Sequence, residues 1–230
     1  MNIYNEGTYL KHNANWHRED SPYKANLVAG QLGGMQARSV IEVGCGAGEV
    51  ISILSERFPD IQFAGYDVSR DAAGFWAGKE SANLKYSCSD LLDSDKQANV
   101  VLCLDVFEHV EDYMGFLKRL SSHGAYFIFN VPMDMCVMKL LSGGLRYARE
   151  EVGHLHYFNE WSAKAALSDC GYRIETASLS AAFLKVPPRN LRQILAAVPR
   201  IFAHFLLGRH LACKLLGGYG LIIKAKAVSK

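Results

Sequence analysis

Four carboxylates, Glu42, Asp67, Asp90 and Asp105, sit at or near the ends of four successive strand-like runs. An ionised carboxylate only accepts hydrogen bonds, so it suits the hydroxyl pair of a ribose or the exocyclic amine of a base. After the first comes Gly44-Cys45-Gly46-Ala47-Gly48, a turn with glycine at alternate positions. Glycine lets the backbone take positive φ and approach a ligand with no Cβ in the way. Helical spacing then resumes at Val50, Ile51, Ile53 and Leu54, and the start of that helix aims unpaired N–H groups at the same place. These residues describe a cradle for a nucleotide-type ligand. Three histidines, His109, His154 and His156, are candidates to take a proton near neutral pH. His109 follows the fourth run, and the other two lie in the Gly153–Phe158 stretch after the fifth.

The elements that must position these groups alternate. A helix from Ser21, with Pro22 in its first turn, is expected to reach about Met35. Strands are expected at Ser39–Gly44, Gln62–Tyr66, Leu84–Cys88, Asn99–Leu104 and Ala125–Val131. Helices are expected at Gly48–Phe58, 70–79 and Tyr113–Ser121, the first stopped by Pro59. Such alternation means a doubly wound, mostly parallel α/β sheet covered on both faces, with ligands at the carboxyl edge. Further on, Asn159 caps a helix over Glu160–Cys170, followed by strands at Tyr172–Leu179 and Tyr219–Ala227. The stretch between those strands, 181–218, is far longer than a hairpin loop. It is apolar at helical spacing and interleaved with Arg189, Arg192, Arg200, Arg209 and Lys214.

Bulk properties narrow the classes. The 230 residues suit one large domain, half of them apolar, and the net charge of +2 makes a nucleic-acid partner a poor fit. The six cysteines are scattered without a CxxC pair, which suits a reducing, cytoplasmic setting. No run of about 18 uninterrupted apolar residues occurs, so no membrane-crossing helix is expected, and the N-terminus does not read as a signal peptide. Residues 1–20 carry Tyr4, Tyr9, His12, Trp16 and His17 and read as a lid over a pocket or as a tail. The glycine spacing is not the G-x-G-x-x-G of dinucleotide folds, which disfavours a nicotinamide dehydrogenase, and no Walker lysine follows it.

Glu42-Val43-Gly44-Cys45-Gly46-Ala47-Gly48, Gly65-Tyr66-Asp67-Val68-Ser69, Asp90-Leu91 and Asp105-Val106-Phe107-Glu108-His109-Val110 come in this order at these spacings. In that arrangement the chain resembles a class I S-adenosylmethionine-dependent methyltransferase, similar to the small-molecule O-methyltransferases of the ubiquinone pathway. The resemblance covers roughly residues 38–180 and the last strand. It implies a seven-stranded sheet of order 3-2-1-4-5-7-6 with the seventh strand antiparallel and 181–218 as a helical insertion between the last two. Residues 1–37 would form an N-terminal lid and helix, and 38–230 the methyltransferase domain. It implies S-adenosylmethionine bound by Glu42, Gly44, Cys45, Gly46, Gly48, Asp67, Val68, Asp90, Leu91 and Leu104, leaving S-adenosylhomocysteine as product.

The expected acceptor is a small molecule, methylated at a hydroxyl oxygen, with His109 or His156 as the base and His154 ranked below them. Lipid-like, aromatic and sugar acceptors stay open, as does a non-catalytic adenosylmethionine-binding partner protein. Asp105, Glu108 and His109 share one turn, and with His156 they would resemble the metal set of small-RNA 2′-O-methyltransferases. Glu-His pairs at this motif are common without metal, so none is assigned. The insertion has three readings: extra core or lid, a peripheral membrane-surface element, or an interface between copies of the chain. Oligomeric state stays open.

Overall fold

In the computed structural model, residues 18–188 and 191–228 are described. The aromatic and histidine residues of the expected N-terminal lid lie outside them. The first helix, α1 (Ser21–Leu32), starts one residue before Pro22, where a missing N–H does no harm. It ends at Gly33, short of the expected Met35. Strand β1 (Ser39–Val43) leads through the glycine turn into α2 (Glu49–Arg57). Then come β2 (Gln62–Asp67), a one-turn α3 (Arg70–Ala73), β3 (Leu84–Cys88) and β4 (Ala98–Leu104). After α4 (Tyr113–Leu120), β5 spans Gly124–Pro132.

The helix expected over 70–79 is cut to its first turn. Gly74 closes it, and Trp76 and Lys79 turn back to hydrogen-bond carbonyls of the glycine turn. Beyond β5 come two short helices, α5 (Val137–Leu141) and α6 (Gly144–Tyr147), and a π-helical turn over Ala148–Val152. Helix α7 (Glu160–Asp169) opens with a capping box between Asn159 and Ser162, and β6 (Tyr172–Ser180) follows. Helix α8 (Leu191–Leu216) precedes the last strand, β7 (Gly220–Ala227).

The seven strands lie in the order β3-β2-β1-β4-β5-β7-β6, parallel except for β7, which runs antiparallel to both its neighbours. Central strands read as continuous apolar runs because both faces of the sheet are covered. The register aligns Ile41 with Val101 and Val101 with Phe127, so alternate residues build two cores. On one face Ile41, Val101, Phe127 and Phe129 join Leu117, Leu120 and Leu167 from α4 and α7. On the other, Val40, Val100, Leu102 and Ile128 meet Val28 and Leu32 of α1 and Ile51 and Leu54 of α2. The rigid middle of this sandwich ends at the carboxyl edge of β1, β2, β4 and β5, where the chemistry-bearing side chains gather.

Helix α8 is bent back on itself. Gly208, at φ 75° and ψ 159°, interrupts it. Arg200 Nε reaches the carbonyl of Leu216 at 3.4 Å, although a straight helix would hold residues 16 positions apart about 24 Å from each other. The element is a helical hairpin with its tip near Gly208.

Candidate active site

The glycine turn is held from behind. Trp76 Nε1 donates to the Gly46 carbonyl at 2.8 Å, Lys79 Nζ to that of Ala47 at 2.7 Å, and the Tyr86 hydroxyl to that of Gly48 at 2.8 Å. Trp76 and Tyr86 stack at 5.1 Å, so the clamp is itself packed. Gly44 has φ +66°, and a Cβ there would lie 2.7 Å from a Val106 methyl. Only glycine gives this turn both its dihedrals and its close approach to the loop after β4. Gly48, at φ +75°, instead backs onto the Tyr86 ring and is off the cavity wall.

A cavity of about 500 Å³ opens beside the turn. Glu42, Gly44, Cys45, Gly46, Asp67, Val68, Leu104 and His109 line it, as the sequence placed them at one edge. Asp90, Leu91 and His156 do not. Asp90 Oδ1 accepts from the Leu92 N–H, capping the 3-10 turn Leu91–Asp93, and the Leu91 side chain is fully buried in the core. His156 is held by its Nε2, which donates to the carbonyls of Val110 and Glu111 at 3.0 and 3.1 Å. Its ring lies 4.6 Å from that of Tyr113. The chain bends at Leu155 and His156, whose N–H groups both donate to the Glu108 carbonyl, and that bend sends the His154 and His156 rings to different places.

His154 takes the place expected of His156. It lines the cavity, buried, with Nδ1 against Asp134 Oδ2. The other Asp134 oxygen pairs with Lys139 Nζ. Burial works to raise the Asp134 carboxyl, but His154 and Lys139 together hold it below the usual carboxylate range. A carboxylate accepts only, so Nδ1 of His154 is the donor and Nε2 is left free toward the cavity. His109 packs edge-on to His154 with ring centroids 4.8 Å apart, and its Nδ1 donates to the Gly153 carbonyl at 3.0 Å. Burial, then the neighbouring His154, push the His109 imidazole down to about 4, so it is neutral at physiological pH.

The carboxylates divide into paired and unpaired. Asp105 is the one non-glycine residue with positive φ among those described, at 55°, and its backbone N–H donates to the Asn130 carbonyl. Such a dihedral persists only where the surroundings impose it. Here Asn130 Nδ2 donates to Asp105 Oδ1 at 2.7 Å, and Lys24 from α1 reaches Oδ2 at 2.6 Å. Burial works against the Lys24 ammonium, but Asp105 more than offsets it and raises its pKa. Asp67 accepts from the N–H groups of Gly46 and Ser69, each at 2.8 Å, which ties β2 to the glycine turn.

Glu42 and Glu108 differ from these. Oε2 of Glu42 and both carboxylate oxygens of Glu108 are buried without a hydrogen-bond partner among the described residues. Burial lifts Glu42 to about 8 and Glu108 well above its ordinary range. Buried polar atoms without partners are rare, and Glu42, on the cavity wall, marks where a ligand would supply the bond. Ligand atoms of Glu108, His109 and His154 all lie within 4.8 Å of one another, so this trio could hold a metal ion. His154, rather than the His156 of the metal set weighed from the sequence, lies with Glu108 and His109 in this trio.

The adenosyl donor fits these residues. The cradle is closed to any side chain at Gly44, Glu42 offers an orphaned buried acceptor, and Asp67 stands preorganised at the next strand end. Lys24 and Asp134 escaped the sequence reading. Asp134 had one signal, its position just past the β5-ending Pro132, whereas nothing local distinguishes a lysine inside α1.

A glycine cradle at the carboxyl edge of a 3-2-1-4-5-7-6 sheet defines the class I S-adenosylmethionine-dependent methyltransferases. The chain belongs to the methyltransferase-domain family, whose pattern it matches over residues 16–177. It is 30% identical over 120 residues to the ubiquinone biosynthesis O-methyltransferase of Alkalilimnicola ehrlichii, covering 48% of each chain. It is 34% identical over 96 residues to that of Bradyrhizobium diazoefficiens, covering 40% of this chain and 36% of the other. The chain thus spans about half or less of the length of these curated relatives. In fold it is similar to the magnesium protoporphyrin IX methyltransferase of Synechocystis PCC 6803, solved with bound S-adenosylhomocysteine. That likeness has a TM-score of 0.58 at 17% identity, over 95% of this chain and 86% of the other.

Proposed function

We propose that this protein transfers a methyl group from S-adenosylmethionine to a hydroxyl oxygen of a small, largely apolar acceptor. The observation that carries the reading is the Lys139–Asp134–His154 chain ending on the cavity wall beside the glycine cradle. The named O-methyltransferase relatives support an oxygen acceptor. When bound, the donor supplies a methyl carbon already activated by the sulfonium charge. Glu42 and Asp67 would accept hydrogen bonds from it, and Leu104, Val106 and Pro132 give the cavity apolar walls that keep water out. His154 Nε2 would take the acceptor's hydroxyl proton. Asp134, held anionic, fixes the tautomer and steadies the imidazolium that forms.

The test is turnover of labelled S-adenosylmethionine with a panel of hydroxylated aromatic and prenylated acceptors. Wild-type protein should release S-adenosylhomocysteine and labelled ether, and His154→Ala and Asp134→Asn should lose turnover while still binding S-adenosylhomocysteine. Turnover untouched by both substitutions would refute the base assignment. The partnerless Glu108 favours one second reading, in which a divalent cation at Glu108, His109 and His154 lowers the pKa of the acceptor hydroxyl. Dialysis against a chelator that leaves turnover unchanged would remove it, and loss restored by added magnesium would support it.

A further inference from the structure

The hairpin between β6 and β7 is out of keeping with the rest of the surface. Its tip exposes Phe202, Phe205 and Leu206 at 71%, 77% and 83% of their area. Adjacent large apolar side chains at this exposure mark an interaction surface rather than chance. Helix α5 packs against α8, a Cβ on Gly217 would lie 2.7 Å from Cys136 Sγ, and Leu141 of α5 is 83% exposed. The helix packed against the hairpin thus also presents an exposed apolar side chain.

Charge indicates what covers it. From 181 to 218 the sequence contains Lys185, Arg189, Arg192, Arg200, Arg209 and Lys214 and no Asp or Glu, in a chain whose net charge is only +2. The cations of the tip and second limb, Arg209 and Lys214, are exposed and make no ion pair among the described residues. Exposed apolar side chains with such cations beside them in the chain fit a layer with an apolar interior and anionic surface. Trp161, 77% exposed, adjoins Glu160, whose carboxylate meets His210 beside the tip, and tryptophan favours the membrane–water boundary.

Gln193–Leu216 is long and apolar enough to cross a bilayer by length and composition alone. Its geometry argues for lying at the surface instead. The limbs fold together at Gly208, Ala212 and Cys213 are buried in the core, and His204 Nδ1 meets the Tyr219 hydroxyl at 3.0 Å. Crossing would require tearing both limbs from the sheet. No residue of the hairpin lines the cavity, so the lid reading has no support there.

We infer that the α8 hairpin docks this enzyme on an anionic bilayer, its Phe202–Leu206 tip dipping into the headgroup boundary and its Arg209 and Lys214 meeting lipid phosphates. This holds whichever acceptor the cavity takes. The experiment is co-sedimentation with vesicles of phosphatidylcholine alone and of phosphatidylcholine with phosphatidylglycerol. Wild-type protein should sediment with the anionic vesicles and release as salt shortens the reach of the charges. The double variant Phe205→Ser, Leu206→Ser should bind them about a hundredfold more weakly, roughly tenfold for each large side chain no longer buried. It should keep its affinity for S-adenosylhomocysteine, showing an intact fold. Failure of the wild type to bind anionic vesicles, or equal binding by the variant, would overturn the inference. So would sedimentation velocity showing a dimer that the double variant splits, since the face would then join two copies. Resistance of membrane-bound protein to alkaline carbonate would overturn it in favour of a span.

Discussion

Replacing Glu42 with glutamine should make the ligand-free protein more stable, and increasingly so as pH rises. The carboxyl is buried, one oxygen has no partner, and burial lifts its folded pKa from 4.5 to about 8. Below the unfolded value both states are protonated and the group contributes nothing. Between 4.5 and 8 the unfolded chain gives up its proton while the folded chain keeps it, so stability falls as pH rises. Above the folded value the loss levels off. A difference of about 3.5 units at roughly 1.4 kcal/mol each sets a ceiling near 5 kcal/mol at pH 8.5. Relaxation and water entry around a buried ion reduce this, so a gain of about 2 kcal/mol is expected. Glutamine is isosteric and buries the same kind of polar group, so its stability should match wild type near pH 5. Urea denaturation of both proteins at pH 5, 7 and 8.5, at equal slopes, reads the gap directly. At pH 8.5, where Glu42 is ionised, the same variant should bind S-adenosylhomocysteine some tenfold to a hundredfold more weakly, because a charged acceptor gives the stronger hydrogen bond. A gap that stays constant with pH, or a variant less stable than wild type at pH 8.5, would refute the argument.

Other residues give sharper yes-or-no outcomes. Asp67→Ala removes the acceptor for two backbone N–H groups as well as the proposed donor contact, so titration calorimetry should show S-adenosylhomocysteine affinity down by about a hundredfold or more. His154→Ala should cut turnover about a hundred- to ten-thousandfold, the range for a lost general base, with donor affinity little changed. His156→Ala should leave turnover within a few-fold, yet lower the denaturation midpoint by roughly 1–2 kcal/mol of stability, since its ring serves two backbone carbonyls. A turnover loss matching that of His154→Ala would restore it as the base. Gly44→Ala forces a methyl against Val106 at a positive φ and should destabilise by about 1–3 kcal/mol, with donor binding lost in parallel, as thermal melts with and without ligand would show.

Much of this molecule follows from local pattern. The alternation of apolar runs and helical spacing, the three glycines, and acidic residues at strand ends are short-range features. They are enough for a parallel α/β sheet and the cavity edge holding Glu42, Gly44, Asp67 and Leu104, while the strand order and the antiparallel seventh strand are implied by the family resemblance. Which groups the edge assembles is a long-range matter. His154 and His156 are two residues apart and chemically identical, and only the bonds of Asp134 to one and of Val110 and Glu111 to the other separate them. The 70–79 segment has helical composition, but Trp76 and Lys79 gain more by bonding the turn carbonyls than by continuing a helix. The 181–218 stretch reads as apolar and helical along its length, and a fold at one glycine turns it from a membrane-length rod into a hairpin with an exposed tip. Sequence alone determines where backbone and burial periodicity repeat, because those forces act between near neighbours. Tertiary structure decides which imidazole faces the cavity and which apolar face stays uncovered, because those depend on partners distant in the chain.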